Sequence, residues 1–77
     1  MKLEELICVT LSLPTGSSVK ASDGPGTVEG WDSLGHISII SALESTYQIS
    51  ISMDEAMMLE KISDIKDLLH VKQVLEF

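Results

Sequence analysis

The sequence predicts an all-α fold, a small four-helix bundle with a short third helix and a long first loop. Apolar residues recur at helical spacing in several segments of the 77-residue chain. Three aromatic residues are too few to fill a core, so leucine, isoleucine, valine and methionine must build it, as in packed helices. A chain of this length forms one domain, which we assign to residues 1–77.

The first helix is predicted over residues 2–13 and ends at Pro14 and Gly16. Its apolar stripe includes the single cysteine, Cys8, which we interpret as a buried and reduced thiol. Residues 14–30 are rich in glycine, serine and threonine, and they predict a loop that is long for so small a domain.

The second helix is predicted from about Ser33 to Tyr47, with Asp32 or Ser33 as its N-cap. Its apolar positions form two stripes. The stripe assigned to the core consists of Ile39, Ile40, Leu43 and Tyr47. The other face carries Leu34, Ile37 and Ser41. This second face predicts a docking surface, although small bundles also present wide apolar faces without any partner.

The alternating segment 48–52 has no partner strand, so we predict a connection that inserts Ile49 and Ile51 into the core. A cap within residues 52–54 predicts a short third helix that ends at about Leu59. Glu55 falls in the first turn of this predicted helix.

The last helix is predicted from residue 64 to about residue 75, with Ser63 as its N-cap. Its periodicity indicates which side chains face the core. These are Ile65, Leu68, Leu69 and Leu75.

The formal net charge is −7, which disfavours binding to nucleic acid and favours association with basic patches on proteins. The sequence shows no export signal and no apolar run that predicts membrane insertion. We therefore expect a cytoplasmic monomer. Catalysis is not expected either, because neither His36 nor His70 lies in an arrangement that would activate a nucleophile.

The most informative segment is Trp31-Asp32-Ser33-Leu34-Gly35-His36, where an irregular segment becomes a helix. Helix N-termini favour bound anions, so an exposed Ser33 is suited to carry a phosphate-linked group. Together with the residues that follow, over about residues 28–69, this segment resembles the acyl carrier protein family. The further matching segments are Leu43-Glu44, Tyr47, Ile49-Ser50-Ile51, Asp54-Glu55-Ala56 and Glu60-Lys61-Ile62.

The resemblance implies a single carrier domain with 4'-phosphopantetheine attached covalently to Ser33, where acyl groups are held as thioesters. A phosphopantetheinyl transferase would attach the group from coenzyme A, and Asp32 would help that enzyme position metal and substrate. Acyl-loading and acyl-processing enzymes of fatty-acid, specialised lipid or polyketide-type pathways would be the partners. The positions expected to meet their basic docking patches are Leu34, Ile37, Ser41 and Glu44.

This chain departs from the family pattern along the second helix. Acidic positions of the family are occupied here by Gly35, Ser38, Ser45 and Thr46, which suggests partners in a specialised pathway. The resemblance places His36 at the mouth of an acyl cavity, while the residue type alone predicts a partly buried neutral imidazole with one hydrogen bond. Flexible methionines would let the second and third helices part for a lipid-like chain. These are Met53, Met57 and Met58.

Two alternatives remain open from the sequence. The same arm could carry an aminoacyl, D-alanyl or peptidyl load. In the second alternative, the chain is an unmodified acidic helical adaptor that binds a basic partner through Leu34, Ile37 and Glu44.

Overall fold

Four helices account for the regular structure in a computed structural model, which describes residues 2–14 and 16–77. In chain order they are α1 (Leu3–Thr10), α2 (Ser33–Tyr47), α3 (Met53–Met57) and α4 (Ile62–Val71). Within these ranges the only extended pairing is an isolated bridge between Pro25 and Val28. The all-α class, the short third helix and the long loop after the first helix are therefore confirmed.

The core is aliphatic and is built mainly from α1, α2 and α4. These helices bury Leu3, Leu6, Ile7, Ile39, Leu43, Ile62, Ile65 and Leu69. Each such side chain contributes about 1.5–3 kcal/mol through burial. By contrast, α3 buries none of its residues, and the core contacts in this region come from Ile51 before the helix and Leu59 after it.

The long loop is fixed against the start of α4. The backbone N–H groups of Ile62 and Ser63 donate to the carbonyls of Asp23 and Ala21, each at 2.9 Å. The loop also contributes buried residues to the core, among them Trp31 just before α2. The start of α2 is thereby attached to the body of the domain.

Among residues 2–14 and 16–77, two ion pairs connect the helices across the bundle. Lys66 of α4 lies 2.8 Å from the carboxylate of Glu4 in α1, and Lys72, which follows α4, lies 3.0 Å from that of Glu55 in α3. The hydrogen bond from Lys66 lowers the pKa of Glu4. Hydrogen bonds from the Ser52 backbone and from Lys72 lower the pKa of Glu55 below its ordinary value of 4.5.

The prediction for the last helix was wrong at both ends. The helix begins at Ile62 after Lys61, so Ser63 lies inside it and its N–H is bonded to the loop instead. The helix ends at Val71, and Leu75 is 90% exposed instead of facing the core. Gln73 adopts the left-handed region, with φ of 66°, which turns the chain so that Val74 packs on the core instead.

The first helix is also shorter than the predicted residues 2–13, because Ser12 adopts a left-handed conformation with φ of 55°. Cys8 is half-buried at the edge of the core, where its Sγ lies 3.7 Å from the carbonyl oxygen of Ser17, so the prediction of a buried thiol was wrong. No helix within the described ranges has the length and apolar character needed to cross a membrane.

Candidate functional site

The N-terminus of α2 places an exposed serine at the first helical position. Asp32 is the N-cap, and its Oδ1 accepts a hydrogen bond of 2.9 Å from the backbone N–H of Gly35. Of the two candidate caps, the aspartate therefore provides the cap. The Ser33 side chain is not used in it and faces solvent at the positive end of a 15-residue helix.

Gly35 is buried beneath this helix end and allows the preceding loop to approach closely. A Cβ at this position would overlap the carbonyl oxygen of Gly30 and lie 3.0 Å from Cδ2 of Leu11. Position 35 therefore cannot carry an acidic side chain without backbone movement. Of the positions where the family is acidic, Ser38, Ser45 and Thr46 are the exposed ones in this chain.

An apolar groove of about 790 Å³ begins at Asp32 and Ser33 and lies between α2 and α3. Most of its lining is aliphatic or methionine. The lining residues beyond the helix start include Ile37, Ile40, Ile51, Met53, Met57 and Leu59. The exposed serine and a groove with room for an apolar chain are thus neighbours.

His36, in the groove wall, connects the segment before α2 to α3. The buried Trp31 indole N–H donates to Nδ1 of His36 at 3.0 Å, and Nε2 of His36 lies 2.8 Å from the carbonyl oxygen of Ala56. The two rings are stacked, with centroids 6.2 Å apart. The imidazole is partly buried as expected, but it makes two hydrogen bonds and not the single one that we predicted.

The predicted docking positions lie on the face of α2 away from the core. Leu34, Ile37 and Ser41 are exposed, and both Ile37 and Ser41 also line the groove. Glu44 is half-buried, and its Oε2 accepts a 2.9 Å hydrogen bond from the backbone N–H of Ile51. This carboxylate thus fixes the connection between α2 and α3, and a docking role for it stays a prediction.

The core stripe of α2 is narrower than predicted. Ile39 and Leu43 are fully buried, whereas Ile40 is half-buried and forms part of the groove wall. Tyr47 is half-buried at the core edge, as are Ile49 and Ile51 of the connection to α3. Ile40 therefore belongs to the candidate site and not to the centre of the core.

A cavity with His36 at its mouth was an expectation from the resemblance, whereas the link from Trp31 through His36 to Ala56 was not predicted. One signal for the link was present in the sequence: a tryptophan in an otherwise aliphatic core needs an acceptor for its N–H, and His36 lies five residues away. The role of Ala56 had no sequence signal, because its backbone carbonyl is the contacting group.

A second depression, of about 660 Å³, is lined by residues from both ends of the chain, among them Lys2 and Phe77. It shares no residue with the groove beside Ser33.

Comparison of the chain with protein-family models, curated protein sequences and solved structures finds no match. The candidate site therefore rests on its geometry and on the motif around Ser33.

Proposed function

We propose that this chain is an acyl carrier protein that bears 4'-phosphopantetheine on Ser33. The observation that supports this most is the juxtaposition of an exposed serine at a helix N-terminus with an apolar groove that starts at the same residue. The Asp-Ser-Leu sequence at residues 32–34 is the motif on which the resemblance to that family depends. The chain itself catalyses no reaction in this proposal.

The residues at the start of α2 fit a phosphodiester on Ser33. Because Asp32 supplies the helix cap, the serine hydroxyl can be esterified without loss of that cap. The first backbone N–H groups of α2 and its macrodipole favour a negative group at this end. When bound, the arm supplies a terminal thiol that holds an acyl group as a thioester.

The groove supports an acyl cargo over an aminoacyl one. Its walls are isoleucine, leucine and methionine side chains, which bury an alkyl chain favourably but offer no charged partner to an ammonium group except Asp32 at the mouth. Methionines at positions 53 and 57 can adapt to chains of different length.

The exposed face of α2 beside Ser33 is the proposed docking surface for the transferase and for acyl-loading and acyl-processing enzymes. It presents Leu34 and Ile37 with little charge, because Ser38 and Ser45 occupy exposed positions where the family is acidic. Basic patches on generic fatty-acid enzymes would gain little from this face, which supports partners in a specialised pathway.

The attachment is tested by incubation with coenzyme A, magnesium and a broad-specificity phosphopantetheinyl transferase, followed by intact-mass measurement. We expect one phosphopantetheine on wild type and none on Ser33→Ala. Ser38→Ala is the matched control, since it removes an exposed serine of the same helix and should label fully. Absence of labelling in wild type would favour the unmodified adaptor.

The cargo is tested by loading the arm with either an octanoyl or an alanyl group and measuring the thermal midpoint of unfolding. A chain that enters the groove binds only the folded state, so the octanoyl form should be more stable than the unloaded form. The alanyl form should show no gain. A gain with alanyl but not with octanoyl would favour the aminoacyl carrier.

A further inference from the structure

The link from Trp31 through His36 to Ala56 requires one protonation state of the imidazole. An indole N–H can only donate, so Nδ1 of His36 must be an unprotonated acceptor. The single proton of the neutral ring then lies on Nε2, where it donates to the carbonyl of Ala56. In a doubly protonated ring, the Nδ1–H would face the indole N–H, and the two donors would repel each other.

This link matters for α3 because the helix itself makes few contacts with the rest of the domain. None of its residues is buried, and the core contacts in this region come from Ile51 before the helix and Leu59 after it. Glu55 pairs with Lys72, which follows α4, and the neighbouring Ala56 binds His36. The His36 bond therefore joins α3 directly to α2.

We propose that neutral His36 is a positioning residue that connects Ala56 of α3 to Trp31, and that its protonation breaks the bond to Trp31, frees the ring to move and so loosens α3 and the groove beside Ser33. One consequence rests on the proposed function: if the chain is a carrier, it would hold its acyl chain less firmly at mildly acidic pH. Histidine is the side chain that changes charge in the physiological pH range.

Several other charged groups lie on the elements around the ring. The charged side chains on α2, on α3 and on residues 24–32 are Glu29, Asp32, Glu44, Asp54 and Glu55. Glu55 pairs with Lys72, Asp32 accepts the capping hydrogen bond, and Glu44 accepts a hydrogen bond from the backbone of Ile51. Among the described residues, Asp32 is the one charged side chain that lines the groove with His36.

The test uses the unmodified 77-residue chain and backbone hydrogen exchange at α3. The reporters are the N–H groups of Met58 and Leu59, which donate to the carbonyls of Glu55 and Ala56. Between about pH 8 and pH 5.5, wild-type exchange should rise by about 3- to 10-fold beyond the intrinsic pH effect, as expected for the loss of one hydrogen bond.

Three variants separate the link from a general effect of acid. His36→Gln should remove the pH response, whereas His70→Gln, which changes the other histidine of the chain, should keep it. Trp31→Phe should also remove the response, because a protonated ring can still donate to Ala56 when no indole N–H opposes it. If the buried Trp31 variant does not fold, the histidine pair decides.

A wild-type protein whose α3 exchange is independent of pH would overturn the proposal. So would a response that persists in His36→Gln or in folded Trp31→Phe, or one that disappears in His70→Gln. Because no step requires the arm, a failure of Ser33 labelling would remove the carrier function and leave this result unchanged.

Discussion

Two isoleucines of α2, two residues apart, provide a matched test of which face of the helix is free. Ile39 is 0% exposed and Ile37 is 63% exposed. Replacing Ile39 by alanine removes a fully buried side chain and leaves a cavity, which costs about 2–5 kcal/mol. The same change at Ile37 removes a largely solvated side chain and should alter the free energy of unfolding by about 0.5 kcal/mol or less.

The loss expected for Ile39→Ala is large relative to the total free energy of unfolding of the domain. At about 0.05–0.15 kcal/mol per residue, a domain of this size has roughly 4–12 kcal/mol of total stability, so Ile39→Ala removes a substantial part of it. Urea unfolding followed by far-ultraviolet circular dichroism measures both variants. With a slope of about 1 kcal/mol per molar urea, the midpoint should fall by about 2 M or more for Ile39→Ala.

Labelling by the transferase completes the test. Ile37→Ala should stay folded yet label more slowly, because a side chain of the docking surface is missing. Equal loss of stability in the two variants, or a larger loss at Ile37, would refute the assignment of the two faces of α2.

Two further predictions concern the helix end and the attachment of α3. Gly35→Ala should destabilise the fold by about 1–3 kcal/mol despite alanine's higher helix propensity, because the added Cβ would overlap the Gly30 carbonyl oxygen. Ser38→Ala, on the exposed face of the same helix, is the control and should leave the free energy of unfolding unchanged. If urea unfolding shows that Gly35→Ala is as stable as wild type, the close approach of the loop is contradicted. Glu55→Gln should lower stability at pH 7 but not at about pH 3. The lowered pKa of Glu55 means that its ionised form stabilises the fold at pH values above its ordinary pKa of 4.5. This stabilisation is lost as the pH falls through the pKa of Glu55 in the folded protein. Glu60→Gln is the control for that experiment, and a difference from wild type that is as large at low pH would argue against the ion pair with Lys72.

The sequence predicted α2 best, because its signals are local. The change from irregular to periodic residues marked its start at Ser33, and the Asp32 carboxylate caps it by a contact only three residues away. The same locality explains the third helix, whose Ser52 and Glu55 form a capping box.

The errors arose where non-local contacts or unusual backbone conformations decide the structure. Ser63 has the residue type of a cap, but the long loop takes its N–H. A glycine would have signalled the left-handed turn after α4, yet Gln73 adopts it, so Leu75 was wrongly assigned to the core. The resemblance implied a cavity with His36 at its mouth, but the residues alone could not predict the position of α3, because that helix buries no residue and depends on tertiary contacts such as that of Ala56.

The central claim is that Ser33 carries a phosphopantetheine arm, and the most direct measurement is the intact mass of the protein isolated from the cells that make it. Fragmentation of the purified chain then locates any added group. The account predicts one phosphopantetheine, with or without an acyl group, on Ser33 and on no other serine. A population that is entirely unmodified, or one modified at a residue other than Ser33, would contradict it.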